Sequence, residues 1–299
     1  MGDWSFLLCF VSVANCFACV FCGAHTDAEW SYTNMTTWSN VFPNCKGNSQ
    51  SPIDIVDDEA VTVIFPAELH FNNYNASIED VELKNNGKTA KFELTSRNIT
   101  LTGRGMYVDG NFTLSQVHFH WGNNDDTGSE HRINGKGSPL EVHFVHFNLE
   151  KYSSAKKASE KPDGVLVLAV LAEASKNATF NNVWKTIGDG LDLIHSPGQT
   201  TKLESLQLHS IVPRNVDDYY MYKGSFTTPP CFQSVTWVVL REKLQIFDEH
   251  LEPFRALMTS YHKHKSRLAS NIRPVQPLNS RAVLKTFHCK YWDLYDFCK

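Results

Sequence analysis

A chain of 299 residues that is 42% hydrophobic, with 19 Phe and 7 Trp, has ample material for one large core. That composition excludes a disordered chain and a miniprotein held by disulfides alone. The net charge of −4 argues against nucleic acid as a partner. Pro, Gly and Ser do not pool into a linker and no repeat of about 20–50 residues appears, so one domain is expected.

Residues 1–24 differ from all that follow. Phe6–Val20 is an apolar run of signal-peptide length, and Cys22-Gly23-Ala24 ends in small residues suited to cleavage before His25. The run is short for a membrane anchor and carries Ser12 and Asn15, so no stable membrane span is expected in the mature chain. Cleavage removes Cys9, Cys16, Cys19 and Cys22 and leaves an even set, Cys45, Cys231, Cys289 and Cys298, as export favours. Asn-x-Ser/Thr sequons at Asn34, Asn75, Asn98, Asn111 and Asn177 agree with a secreted glycoprotein.

From Val61 to Thr102, short alternating segments such as Ile78–Lys84, Lys91–Thr95 and Ile99–Thr102 lie between Asn/Gly turns and predict antiparallel strands. The next stretch, Gln116–Phe147, reads QVHFHWGNNDDTGSEHRINGKGSPLEVHFVHF. In the alternating run Leu114–Trp121, Gln116, His118 and His120 project one way; in Leu140–Leu149, Glu141, His143 and Val145 share a face and His146 takes the other. The Gly/Asn/Asp/Ser-rich connection between the runs reads as loop, which favours antiparallel pairing. So paired, His143 converges with His118 and His120 on one metal and leaves a tetrahedral position open, the layout of a catalytic rather than a structural zinc. Gln116 and Glu141 stand where acceptors for the ligating rings' other N–H belong.

Val165–Ala172, VLVLAVLA, predicts a strand buried on both faces. Phe180, Val183, Trp184, Ile187 and Leu191 recur at helical spacing, and Leu251, Phe254, Leu257 and Met258 predict a second helix near Glu249–Ser260. Beyond Phe287, the tail CKYWDLYDFC holds Cys289 and Cys298, which either close a small loop or cross-link chains.

QVHFHWG, GSEH and LEVHFVHF resemble the zinc-binding core of the alpha-class carbonic anhydrases. QSPIDI at Gln50–Ile55, SFTTPPC at Ser225–Cys231, VTWVVL at Val235–Leu240 and NIRPVQPLNSR at Asn271–Arg281 follow in that family's order, and the likeness extends from about Trp30 to Phe287. The resemblance implies a mainly β fold: a single large, twisted, mostly antiparallel sheet with peripheral short helices and a zinc ion at the bottom of a conical cleft. It implies a catalytic domain over 25–288, between the signal peptide and a Cys/aromatic extension at 289–299. In extracellular members a disulfide joins the positions matching Cys45 and Cys231.

The implied activity is reversible hydration of carbon dioxide to bicarbonate and a proton by zinc hydroxide, with ester hydrolysis as a side activity. By the same resemblance Thr227 accepts a hydrogen bond from the hydroxide and donates its own to Glu130. Val145, Val167, Phe226 and Trp237 form an apolar wall, Tyr32 and Thr228 are polar cavity positions, and the Asn271 backbone supports one ligating imidazole. The chain departs from the family pattern at Ser138, where an aromatic or His is usual, at Ile272 for a usual Trp, and at Phe226 for the common Leu. Lys88 stands where the family has its proton-shuttle His. An exposed Lys keeps its proton to about pH 10, so slower proton export is expected. A non-catalytic binding module of the same fold would usually lack a zinc-ligand His, and all three are present. A general metallohydrolase would want a wider polar pocket and a carboxylate base near the metal.

Overall fold

The computed structural model describes residues 30–287 apart from 64–67, 95–96, 106, 177, 179–180 and 262–263. The expected signal peptide, the Asn177 sequon, the helix position Phe180 and the Cys289–Cys298 tail lie outside the described residues.

Alternation of apolar and polar residues through the first half of the chain produces strands that join one sheet, 13-stranded among the described residues. From one edge its main path runs Thr200–Leu206, Ile78–Asn85, Ala90–Glu93, Asp109–Trp121, Leu140–Asn148, Val165–Ala174, Val235–Leu240, Tyr219–Gly224, Leu284–Lys285 and Val61–Thr62. Most neighbours pair antiparallel. Val165–Ala174 is the exception in the middle, running parallel to both Val235–Leu240 and Leu244–Ile246. Mainly β architecture with short helices is therefore what the chain adopts.

Apolar cores cover both faces of the sheet centre. Leu166, Leu168, Val170 and Ala172 join one core, while Val165, Val167, Ala169 and Leu171 join the other. A strand with no polar face needs cover on each side, and VLVLAVLA receives it. The first core is closed by the Asn182–Leu191 helix, which packs Trp184, Ile187 and Leu191 against the sheet. Asn181 caps that helix by accepting from the Val183 N–H at 3.0 Å.

The second expected helix is broken. A turn at Asp248–His250 leads into a short helix at Glu252–Arg255, and Met258–Tyr261 is a strand instead. The Met258 N–H donates to His195 O at 2.8 Å, so the chain leaves the helical ladder even though Leu251, Phe254 and Leu257 are buried as the periodicity suggested.

The alternation expected from Leu114 onward is also interrupted. Leu114 pairs with His146 but Gln116 pairs with Val145, which places a bulge between Leu114 and Gln116. Before the bulge Phe112 and Leu114 face the first core; after it Val117, Phe119 and Trp121 do. One inserted residue exchanges the faces, and this sends Gln116, His118 and His120 to the side shared by His143 and Val145.

Candidate metal centre

His118 and His143 are direct cross-strand partners, with His120 one pleat further along, opposite Glu141. The three imidazoles cluster with ligand atoms within 4.8 Å of one another. His143 Nδ1 lies 3.3 Å from His118 Nε2. His120 Nε2 is buried and has no hydrogen-bond partner. Burial is the main cause that lowers the pKa of all three rings, to about 4 for His120 and well below the usual range for His118. Neutral nitrogens crowded around one point, one of them orphaned, fit a metal cation, which coordinates deprotonated imidazole.

Two of the three rings are aimed by acceptors on their far side. His143 Nε2–H donates to Glu141 Oε1 at 2.6 Å, which leaves Nδ1 as the free lone pair. His120 Nδ1–H donates to Asn271 O at 2.8 Å, which leaves Nε2 free. The Asn271 side chain is itself tied down, accepting from the Trp121 N–H at 2.8 Å and donating to Phe119 O at 2.9 Å. Gln116 does not take the role expected of it: it lines the cleft, but His118 Nδ1 is buried without a hydrogen-bond partner.

Glu141 anchors a chain of buried groups. It also accepts from His131, at 2.6 Å from Nδ1 and 2.8 Å from the backbone N–H, and His131 Nε2 lies 2.7 Å from the Tyr222 hydroxyl. Burial alone pushes the Glu141 carboxyl up, yet the attraction of His131 and His143 and the hydrogen bonds from both hold it well below the usual carboxylate range. His131, Glu141 and His143 also lie close enough to hold a metal, but their facing atoms are already joined by hydrogen bonds.

Glu130 stands beside the triad, with Oε2 3.4 Å from His120 Nε2. Burial pushes its carboxyl up to about 7, against the opposing pull of His143, the Thr227 hydroxyl and the Arg273 N–H. The Arg273 N–H reaches Glu130 Oε1 at 2.8 Å, and its guanidinium donates to Gln50 Oε1 at 2.8 Å and Ser51 O at 2.9 Å. Neither His131 nor Arg273 was singled out from the sequence, although GSEH and NIRPVQPLNSR contain them; a buried Arg whose guanidinium is held by amide oxygens leaves no local pattern.

A cleft of about 190 Å³ lies at the triad, lined by Val145, Val167, Phe226, Thr227, Thr228 and Trp237 together with Tyr32, Lys88 and Lys91. Val167 and Trp237 are neighbours in register on the parallel pair and share the Val145 face, which gathers the apolar wall. Lys88 Nζ lies 5.0 Å from the centre of the Trp30 ring. Lys91 pairs with Glu93 and sits opposite His118 on the adjoining strand. Thr227 lies four residues before Cys231, which is bonded to Cys45. Cys231 also donates its N–H to Thr228 O at 2.9 Å.

Residues 33–287 match the family model described as eukaryotic-type carbonic anhydrase. The chain is 35% identical over 277 residues to carbonic anhydrase 1 of Monodelphis domestica, covering 87% of this chain and 99% of the relative. It is 34% identical over 264 residues to carbonic anhydrase 7 of Homo sapiens, covering 86% and 97%. It is 34% identical over 285 residues to carbonic anhydrase 6 of Mus musculus, covering 93% and 86%. In the alpha class a triad such as His118, His120 and His143 is the typical zinc site. A match over almost the whole described chain, meeting three converging imidazoles, shows that this protein belongs to the eukaryotic-type carbonic anhydrase family of enzymes.

Proposed function

We propose that the enzyme catalyses reversible hydration of carbon dioxide to bicarbonate and a proton. The observation that carries this reading is the cluster of three neutral imidazoles at the base of a cleft with one apolar wall. His118, His120 and His143 would hold a zinc ion, which when bound would supply a hydroxide nucleophile by lowering the pKa of water to about 7, a value established for carbonic anhydrase itself. Glu141 and Asn271 set the tautomers of His143 and His120, so that each presents a lone pair.

Thr227 aims the nucleophile. An ionised Glu130 can only accept, so the Thr227 hydroxyl spends its one proton there and must accept from whatever O–H lies in the cleft. The ionised form of Glu130 would be favoured by a cation held at the triad, offsetting its burial. Val145, Val167, Phe226 and Trp237 keep a dry space in which a small apolar substrate can lie beside the ligands. Lys88 occupies the cleft where a proton must leave, and an ammonium has no lone pair to receive it. Export is then slower than with an imidazole in that place. Ester hydrolysis follows as a side activity of the same nucleophile.

We further propose that residues 1–24 direct export, that 25–288 form the catalytic domain and that 289–299 are an appended tail. The Cys45–Cys231 disulfide supports an oxidising compartment. Asn34, Asn75 and Asn98 are exposed and suit glycan attachment, whereas Asn111 is half-buried within a strand. Zinc analysis paired with a carbon dioxide hydration assay tests the central reading. Wild type should carry stoichiometric zinc and be active, and His143→Ala should lose both; full zinc occupancy in that variant would overturn the ligand set.

A further inference from the structure

A second cleft, of about 510 Å³, lies away from the imidazoles and shares no lining residue with the metal cleft. Its volume suits an organic ligand rather than a bare ion. It forms where the N-terminus of the Asn182–Leu191 helix meets the turn at Leu208–Ile211, and Asn181 joins the two by donating to Ser210 O at 2.8 Å.

Three features of this cleft call for negative charge. Trp184, which lines it, is 2% exposed, and its indole N–H has no hydrogen-bond partner among the described residues. Indole can only donate, and buried donors in native proteins are nearly always satisfied, so this N–H wants an acceptor, which must enter past the cleft wall because the nitrogen itself is shut off from water. Arg214 and Lys243 line the same cleft, and neither side chain makes an ion pair or hydrogen bond among the described residues. Glu242, the one carboxylate on the wall, already accepts from the Asn215 N–H at 2.8 Å. The positive end of the helix adds to the bias.

We propose that this cleft binds an organic anion by its carboxylate or sulfate group. The Arg214 fork takes two oxygens, Lys243 supplies a second charge, and the Trp184 N–H donates to a remaining lone pair once the cleft wall admits the anion. Val212, Pro213 and Leu244 offer the apolar contact for the rest of the molecule. The site is independent of the hydration chemistry.

The indole ¹H–¹⁵N signal of Trp184, assigned with Trp184→Phe, reads the site in the full-length zinc-loaded protein. Sulfate, acetate and benzoate are the probes. Each should shift that signal saturably, with benzoate binding more tightly than acetate because its ring uses the apolar wall. Arg214→Ala should weaken binding by about tenfold, Arg214→Lys by less, and the Arg214→Ala/Lys243→Ala double variant should abolish the shift. Folded spectra, zinc content and hydration rate should match wild type in all of these. No shift with any probe up to about 10 mM, where a millimolar site saturates, would overturn the proposal. So would a shift that survives in the double variant, and benzoate binding no tighter than acetate would overturn the organic ligand.

Discussion

Replacing Glu141 by Gln tests how the fold aims the ligands. The carboxylate is fully buried and accepts from His143 Nε2 and His131 Nδ1 at Oε1, both at 2.6 Å, and from the His131 backbone N–H at Oε2, at 2.8 Å. A Gln amide offers one acceptor oxygen and one NH₂. With its oxygen toward the imidazoles, the NH₂ confronts the His131 N–H. With the amide reversed, His143 must carry its proton on Nδ1, the nitrogen that faces His118 Nε2 at 3.3 Å and belongs to the metal. The first arrangement turns a charge-assisted bond into a donor–donor contact, at a cost of about 1.5–3 kcal/mol, and the second takes the lone pair away from the metal. The negative charge that raises the basicity of the ligand is lost too. Zinc dissociation should therefore rise about 10–100-fold, equivalent to about 1.4–2.7 kcal/mol. Chelator competition measures this, and denaturant melts of the metal-free proteins separate it from any loss of fold. A folded variant whose zinc affinity lies within about twofold of wild type would refute the claim that Glu141 sets the His143 tautomer.

The remaining predictions concern stability and rate. Burial holds His146 down to about 4, with Nδ1–H on Leu166 O at 3.3 Å and Nε2 2.5 Å from the Tyr74 hydroxyl. An unfolded His binds its proton near pH 6.5, so this contribution is complete above about pH 6.5 and is lost as pH falls toward 4, by about 1.4 kcal/mol per unit and ~3 kcal/mol in all. Urea melts across that range should show a flatter slope in His146→Asn, and an unchanged slope would contradict the assignment. Reducing Cys45–Cys231, which closes a sequence separation of 186 residues, should lower stability by about 2–5 kcal/mol. It should also lower kcat/KM while the protein is still folded, because Cys231 braces the Thr227–Pro230 turn; activity lost only in step with unfolding would oppose that link. Lys88→His should raise turnover in weak buffer, and Phe226→Leu should raise kcat/KM without changing buffer dependence. A wild type already fast and insensitive to buffer would show that another group exports the proton.

Much of the site was legible because its information is local. A period of two residues puts His118 and His120 on one face, and the same period puts His143 with Glu141 and Val145; the loop-like connection makes antiparallel pairing the economical way to join them. The unbroken VLVLAVLA run likewise reports burial on both faces wherever the strand sits. Neighbours in sequence therefore determined the ligand types, their shared face and the mainly β class. Other features were decided by contacts that no local pattern carries. The bulge after Leu114 exchanges the strand's faces, and only pairing with Leu140–Asn148 reveals it. The Glu249–Ser260 helix stops early because His195 takes the Met258 N–H. His120 finds its acceptor on Asn271, 151 residues away, Glu130 finds Arg273, 143 residues away, and Gln116 misses the ring it was expected to hold. Alternation states which side chains can share a face, but the groups that orient a ring are placed by closure of long loops and by packing within fractions of an ångström, and these exist only once the chain has folded.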